Sequence, residues 1–284
     1  ARGALPSFND VSKVNNLYMK FRKLLKWNHV KSFLQNRYAS VLKKKGIVLP
    51  YDIVFAAGES GLQTIGLGND IEKEKSIIVN INSFDFDNFK KNQNTSNIIK
   101  DKYCLYLDEY LPYHPDFEMF NTKTVNPVIY YERLNNFFDL IEKKYGLNVI
   151  IAAHPKAEKY KNENPFKNRQ IFFNKSAELT MYAEFVILHC TSSISFAVLN
   201  NKPIISLTSD ELKSVMPKYD TIIKNFSIEL GTTFINMDDL KNHQHYLKEA
   251  NSLKYNNYKY KYLTSNNSED FLSSEIFVNT LVNL

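Results

Sequence analysis

The chain has 284 residues, of which 44% are hydrophobic, 23% charged and 14% aromatic. That balance excludes wholesale disorder, and 8 glycines and 9 prolines exclude collagen-like or glycine-rich repeats. A net charge of +6 suits an anionic partner (nucleic acid, membrane face or phosphorylated small molecule) without choosing among them.

Residues 10–45 predict two helices. Leu17, Phe21, Leu24 and Leu25 recur at helical spacing in the first, and Phe33, Leu34, Tyr38 and Leu42 in the second. Lys43-Lys44-Lys45-Gly46 reads as a basic last turn with a glycine stop. Residues 51–57 form a β-branched run ending in Gly58-Glu59-Ser60-Gly61, and residues 76–81 predict a second strand. Residues 90–101 are polar, rich in Asn and Lys and aperiodic, so they predict a loop. The domain boundary is placed there, giving domains 1–95 and 96–284.

Strands and helices then alternate. Strands are expected at 103–107, 148–153, 170–173, 185–189 and 203–207. Helices are expected at 126–145, closed by Gly146, at 176–183, opened by Ser176, and at 193–200, 238–251 and 269–283. Continuous apolar strands between helices imply a parallel sheet covered on both faces. The second domain is therefore expected to be doubly wound and Rossmann-like, with ligands at the carboxyl ends of its strands. The first domain has only two convincing strands: either it is trimmed or an upstream segment is absent. The opening Ala-Arg-Gly has no Met and no basic-then-apolar leader. No apolar run approaches the roughly 18 residues of a spanning helix. Cys104 and Cys190 lie in apolar runs, read as small buried hydrophobes, and suit a reducing cytoplasm.

Four polar clusters fall at strand ends: Gly58-Glu59-Ser60-Gly61, Asp108-Glu109-Tyr110, His154-Pro155-Lys156 and Thr191-Ser192-Ser193. The hydroxyls of Thr191, Ser192 and Ser193 at a helix start suit an anion, although an ordinary N-cap uses the same residues. His154 ends a buried strand at Pro155, where an imidazole can donate to a phosphate or shuttle a proton; a hydrogen-bonded rim histidine is the bland reading. Lys156 adds charge there or is simply solvated. Asp108 and Glu109 are adjacent, so one is expected to face the ligand cleft and the other solvent. Asp108 or Glu59 can serve as general base or covalent nucleophile, or be a plain loop carboxylate. Glu178, third in its helix, is either a capping-box acid or an acceptor for ribose hydroxyls. Asp85-Phe86-Asp87 spells a D-x-D, read as incidental in its polar surroundings. His114 lies in a stiff Pro-Tyr-His-Pro turn, and His243 and His245 lack zinc spacing. The tract from Tyr255 to Tyr262 interleaves bases and aromatics and is read as a packed loop and tail rather than a nucleic-acid platform.

The order of these motifs resembles that of a known class. His154-Pro155, the Ser176-Ala177-Glu178-Leu179 helix, the run from Ala183 to Ser193, and Lys202-Pro203-Ile204-Ile205 look like the donor-binding half of bacterial GT-B glycosyltransferases of capsule and lipopolysaccharide synthesis. Polysialyltransferases, Kdo transferases and CDP-glycerol glycerophosphotransferases share this pattern. The resemblance spans about residues 102–210. It implies two Rossmann-like domains facing a cleft, the first shortened here. It implies a nucleotide-sugar donor, CMP-linked by preference, and a glycan or lipid-linked glycan acceptor. His154, Lys156 and the hydroxyls of Thr191, Ser192 and Ser193 would hold the donor phosphate, and Glu178 would sit near the ribose. The family's paired acids match Asp108-Glu109, but Tyr110 replaces the following glycine, which leaves the base open. A monophosphate leaving group needs no metal and no further cofactor; a diphosphate would draw on Lys156 or Arg169. A CDP-polyol phosphotransferase and a non-catalytic nucleotide-sugar-binding module are the alternatives. Nucleic acid is not an expected partner. Location is expected to be cytoplasmic, with peripheral contact at the inner membrane face.

Overall fold

The computed structural model describes residues 27–49, 51–61, 75–239 and 247–283. The first predicted helix, at Leu17 to Leu25, and His243 and His245 lie outside them. The chain forms two compact units. One takes the described residues up to Phe84 and returns from Tyr260 onward; the other runs from Asp85 to Lys259. The sequence boundary after residue 95, with the tail given to the second domain, divides the chain differently.

In the first unit, helix α1 (Trp27–Lys44) ends on Lys43 and Lys44, and Gly46 follows at φ 71°. Strands β1 (Ile53–Ala57) and β2 (Ile77–Ile81) pair in parallel, Ile53 opposite Ile77. Between them the short helix α2 (Gly58–Gly61) leaves the carboxyl end of β1. The returning tail is bound by specific bonds. Thr264 donates to Asn82 Oδ1 at 2.6 Å, Asn82 donates to the Phe271 carbonyl at 2.7 Å, and Ser83 N donates to the Leu263 carbonyl. Gly58 has φ +61°, and a Cβ there would stand 2.7 Å from the Lys261 carbonyl oxygen. Conformation and space both demand glycine. Gly58→Ala is expected to destabilise the protein by about 2 kcal/mol or more. Thermal unfolding checks this; an unchanged midpoint would disprove the close approach.

The second unit opens along α3 (Phe84–Asn92) and is built on six parallel strands: β3 (Tyr103–Leu107), β4 (Asn148–Ala153), β5 (Ile171–Phe173), β6 (Val186–Leu188), β7 (Ile204–Thr208) and β8 (Thr233–Asn236). Their spatial order is β5-β4-β3-β6-β7-β8. Counted from β3, that is 3-2-1-4-5-6, the order of a doubly wound Rossmann sheet. Every residue of β3, β6 and β7 is buried, as a sheet covered on both faces requires. The covering helices are α4 (Pro115–Met119), α5 (Pro127–Tyr145), α6 (Ser176–Tyr182), α7 (Ile194–Leu199), α8 (Asp210–Val215), α9 (Pro217–Leu230) and α10 (Ser252–Tyr258). Helix α11 (Ser273–Val282) belongs to the first unit.

Helix α5 shows why the local sequence folds as it does. Asn126 caps it by accepting from Val128 N and Ile129 N, Pro127 occupies the first turn, and Gly146 ends it at φ 64°. Leu134, Phe137, Phe138 and Ile141 form its buried face. Phe138 meets Tyr106 of β3 with ring centroids 5.1 Å apart.

Several expectations are corrected. Residues 84–92 are helical, so the aperiodic stretch begins later than expected. Residues 247–251 are not helical, although 238–251 were expected to be. The Tyr-Lys tract is helical rather than loop, with Tyr255, Tyr258 and Tyr262 buried. Lys175, not Ser176, stands at the N-cap of α6, and no side chain caps it.

Candidate functional site

The strand order reverses between β3 and β6, since β3 leads outward to β4 and β5, and β6 to β7 and β8. Such a switch point leaves a crevice outside the carboxyl ends of the two central strands, where open α/β sheets take ligands. Asp108 and Glu109 leave β3 there, His189 to Ser193 leave β6, and His154 leaves the neighbouring β4.

Neither acid faces solvent, contrary to expectation: Asp108 is 4% exposed and Glu109 is 6%. The extended backbone does send them opposite ways. Asp108 Oδ2 accepts from His154 N at 3.5 Å, on the β4 side. Glu109 accepts from Cys190 N and from the Tyr219 hydroxyl, on the β6 side. Asp108 Oδ1 has no hydrogen-bond partner among the described residues. Burial pushes the Asp108 carboxyl up to about 6, against the pull of nearby amides. Burial likewise raises Glu109 well above the carboxylate range, and the neighbouring Asp108 charge adds to the rise. Tyr110, which replaces the family's glycine, sits at φ 55°, the left-handed conformation glycine would take without strain.

His154 is half-buried, and burial lowers its imidazole to about 4, helped by His114 and Lys156. It is therefore neutral at pH 7. Its Nδ1 accepts from Lys156 N at 3.2 Å, and its ring centroid lies 4.8 Å from that of His114. Lys156 is exposed and pairs with Asp116 at 3.0 Å. Thr191 and Ser193 are half-buried and Ser192 is exposed. Ser193 stands at the N-cap of α7, its side chain making no cap bond, while its N–H donates to Thr191 Oγ1 at 3.3 Å. His154 and the Ser192-Ser193 pair stand on either side of β3. Two strand spacings, roughly 10 Å, separate their strands. A nucleotide, not a single oxygen, would have to span them.

The remaining expected residues are dispersed. Glu178 pairs with Lys175 at 2.8 Å rather than completing a capping box. Glu59 is exposed in the first turn of α2, in the other unit. Asp85 and Asp87 lie two apart on α3, a spacing that does not place them on one face, and Phe86 between them is buried. Arg169 precedes β5 at the opposite edge of the sheet and is held by Asp139 and Glu142, so it is removed from the ligand edge. Among the described residues no three His, Cys, Asp or Glu side chains gather as metal ligands. Cys104 and Cys190 are both free thiols.

His189 was not anticipated. It is fully buried, donates from Nδ1 to the Leu207 carbonyl and accepts at Nε2 from the Tyr130 hydroxyl, each at 2.9 Å. Tyr130 in turn pairs with Tyr106 at 2.8 Å. Burial lowers His189 to about 4, so it is a neutral strut behind the switch point. The only signal for it in the sequence is a polar residue closing an apolar run. Cavities open on this edge among the described residues. One of about 230 Å³ is lined by Tyr113, Tyr131, Lys159, Tyr160 and Glu163 among others, and one of about 300 Å³ by Arg133, Asp210, Glu211 and Asp238 among others. Neither is lined by His154 or by Ser192 and Ser193.

The sheet order and its polar carboxyl edge define a doubly wound α/β protein of the Rossmann-like class. No family model matches the chain, and no curated protein matches it. Solved structures that resemble it include two of UDP-GlcNAc 2-epimerase from Methanocaldococcus jannaschii and two of the wall teichoic acid polymerase TagF. One epimerase structure, in complex with UDP-GlcNAc and UDP, is 15% identical over 72% of this chain and 59% of that chain, with a TM-score of 0.39. One TagF structure is 11% identical over 82% of this chain and 59% of that chain, with a TM-score of 0.46. The chain thus spans about three fifths of the length of these proteins. Among the described residues no helix is long and apolar enough to cross a membrane.

Proposed function

We propose that the protein is a GT-B-type glycosyltransferase. It moves a sugar, by preference a CMP-linked acidic sugar of the Kdo or sialic-acid type, to a hydroxyl of a surface-polysaccharide acceptor. The observation that carries the reading is the grouping of Asp108, His154 and Thr191 to Ser193 on three adjacent strand ends at the switch point. The order of the motifs along the chain supports the same class.

In this reading the bond from the anomeric carbon to the phosphate oxygen breaks, and CMP departs with its electron pair. His154 meets the charge that develops on the phosphate, and the hydroxyls of Ser192 and Ser193, two strands away, hold another part of the same nucleotide. Thr191 and Lys156 supply further donors at the rim. The acceptor oxygen forms the new bond to the anomeric carbon and gives its proton to a carboxylate. Asp108 is favoured over Glu59, because a buried carboxyl with an unpartnered oxygen and a pKa of about 6 is poised for proton abstraction near neutrality. Glu178 would accept from the ribose hydroxyls in competition with Lys175. The donor itself is the nucleotide-bearing substrate, with no further cofactor. The net charge of +6 is compatible with a peripheral position at the inner, anionic membrane face.

A thermal-shift panel of CMP, CDP, UDP and GDP tests the donor class. CMP is expected to give the largest shift, and mass spectrometry of the product should show an added acidic sugar. Preference for UDP would overturn the donor, a phosphopolyol product would make the protein a polyol-phosphate transferase, and nucleotide affinity without turnover would make it a binding module.

A further inference from the structure

His154 is matched by a second imidazole that the proposed chemistry leaves unused. Both belong to His-Pro-X turns: His114-Pro115-Asp116 follows β3, and His154-Pro155-Lys156 follows β4. A residue before proline is driven into the extended region, and His114 sits at φ −64°, ψ 122°. The chain then turns back, and the N–H two residues on reaches the ring. Asp116 N donates to His114 Nδ1 at 3.3 Å, and Lys156 N donates to His154 Nδ1 at 3.2 Å. A ring nitrogen that accepts carries no proton, so each neutral imidazole keeps its proton on Nε2. The two turns therefore hold both rings in the same tautomer, each with its proton on Nε2. Metal ligation at either Nε2 would require moving the proton to Nδ1 and breaking the turn. The pair is built for an anion. The adverse charges nearby are the Asp116 carboxylate, which Lys156 neutralises at 3.0 Å, and the Asp108 carboxylate, whose Oδ2 accepts from His154 N at 3.5 Å.

We propose that His114 and His154 together bind the phosphate of the nucleotide donor, each donating from Nε2 to a different phosphate oxygen. The inference rests on the reading that His154 meets the donor phosphate. With centroids 4.8 Å apart, two hydrogen bonds of about 2.9 Å to separate oxygens of one phosphate reach across the gap. His114 is thereby a binding residue and not only the cap of α4.

Calorimetric titration with CMP of the wild type, H114N, H114Q and H154N tests this. Asn keeps an acceptor for Asp116 N and removes the Nε2 donor, whereas Gln carries an amide donor out to the place of Nε2. H114N is expected to bind CMP at least tenfold more weakly with an unchanged thermal midpoint, and H114Q to recover most of the loss. If H114N does not fold, H114S replaces it, since Ser caps helices equally well. Wild-type affinity in H114N (or H114S) beside a tenfold loss in H154N would overturn the second imidazole while leaving the first reading intact. Unchanged affinity in both His variants, or a wild type that binds no CMP, would overturn the two together. Equal weakening in H114N and H114Q would assign His114 a purely structural role and overturn the inference.

Discussion

Asp108→Asn is expected to do two things at once: remove turnover and reverse a stability penalty that depends on pH. The substitution deletes the proposed base with little change of shape, so kcat should fall by a hundredfold or more. The stability effect follows from burial. The Asp108 carboxyl is raised from 3.8 to about 6 in the folded protein. Well below pH 4 both folded and unfolded chains hold the proton, and burial of the neutral acid carries no ionic penalty. Between pH 4 and 6 the unfolded chain ionises first, so stability falls as pH rises through that window. Above pH 6 the loss is complete, at about 3 kcal/mol for a shift of this size. Asn does not titrate. Relative to wild type, the variant should therefore gain about 2.5 kcal/mol on going from pH 4 to pH 7.5. Denaturant unfolding at both pH values measures that difference. The comparison cancels whatever the new amide costs at both pH values alike. A flat difference would show that burial does not raise the Asp108 carboxyl. In the wild type, kcat/KM should rise with pH through about 6 and then level, as the base ionises.

Much of the second unit was legible because its strands are buried on both faces. Tyr103 to Leu107 and Val186 to Leu188 are apolar throughout, and a run of that length between helices has few other uses. Strand β8 left no such trace. It has four residues, two of them polar, and only Thr233 and Ile235 are buried. Helix α3 was hidden because its inward face rests largely on Phe86, the one buried residue in a polar stretch. The return of the tail to the first unit depends on Asn82, Thr264 and Phe271, bonds across almost 190 positions that no local pattern encodes.

The site divides the same way. The placement of Asp108 and His154 at the carboxyl edge was legible, because both directly follow apolar strand runs. The burial of Glu109 was not, because its partners are Cys190 and Tyr219, 81 and 110 residues away. Those contacts give Glu109 a role the sequence did not suggest. It ties the end of β3 to the loop that carries Thr191, Ser192 and Ser193, across the point where the sheet changes direction. The shared tautomer of His114 and His154 was equally hidden, since a His-Pro dipeptide does not announce which ring nitrogen accepts from the turn.

His154→Ala carries the second large effect, and its pH dependence separates two roles for the imidazole. Burial holds His154 at about 4, with His114 and Lys156 pushing the same way. At pH 7 the free protein thus presents a neutral ring with its proton on Nε2. As a fixed hydrogen-bond donor to the departing phosphate, it should contribute a hundredfold or more to kcat, the scale of one preorganised donor to a developing oxyanion. Because the neutral ring is already the donating form, His154 should add no limb to kcat/KM between pH 5 and 8; the only break there belongs to Asp108 near 6. If His154 instead had to give up a proton as imidazolium, activity would climb as pH falls toward 4 and H154Q would be as inactive as H154A. The donor role predicts that Gln, which keeps an N–H on a longer arm, restores part of the lost rate. Stability gives an independent check. A histidine whose folded pKa is depressed contributes stability that is present above about 6.5 and is lost as pH falls toward 4. That slope should be shallower in H154A, and an unchanged slope would show that the ring is solvated and free to ionise.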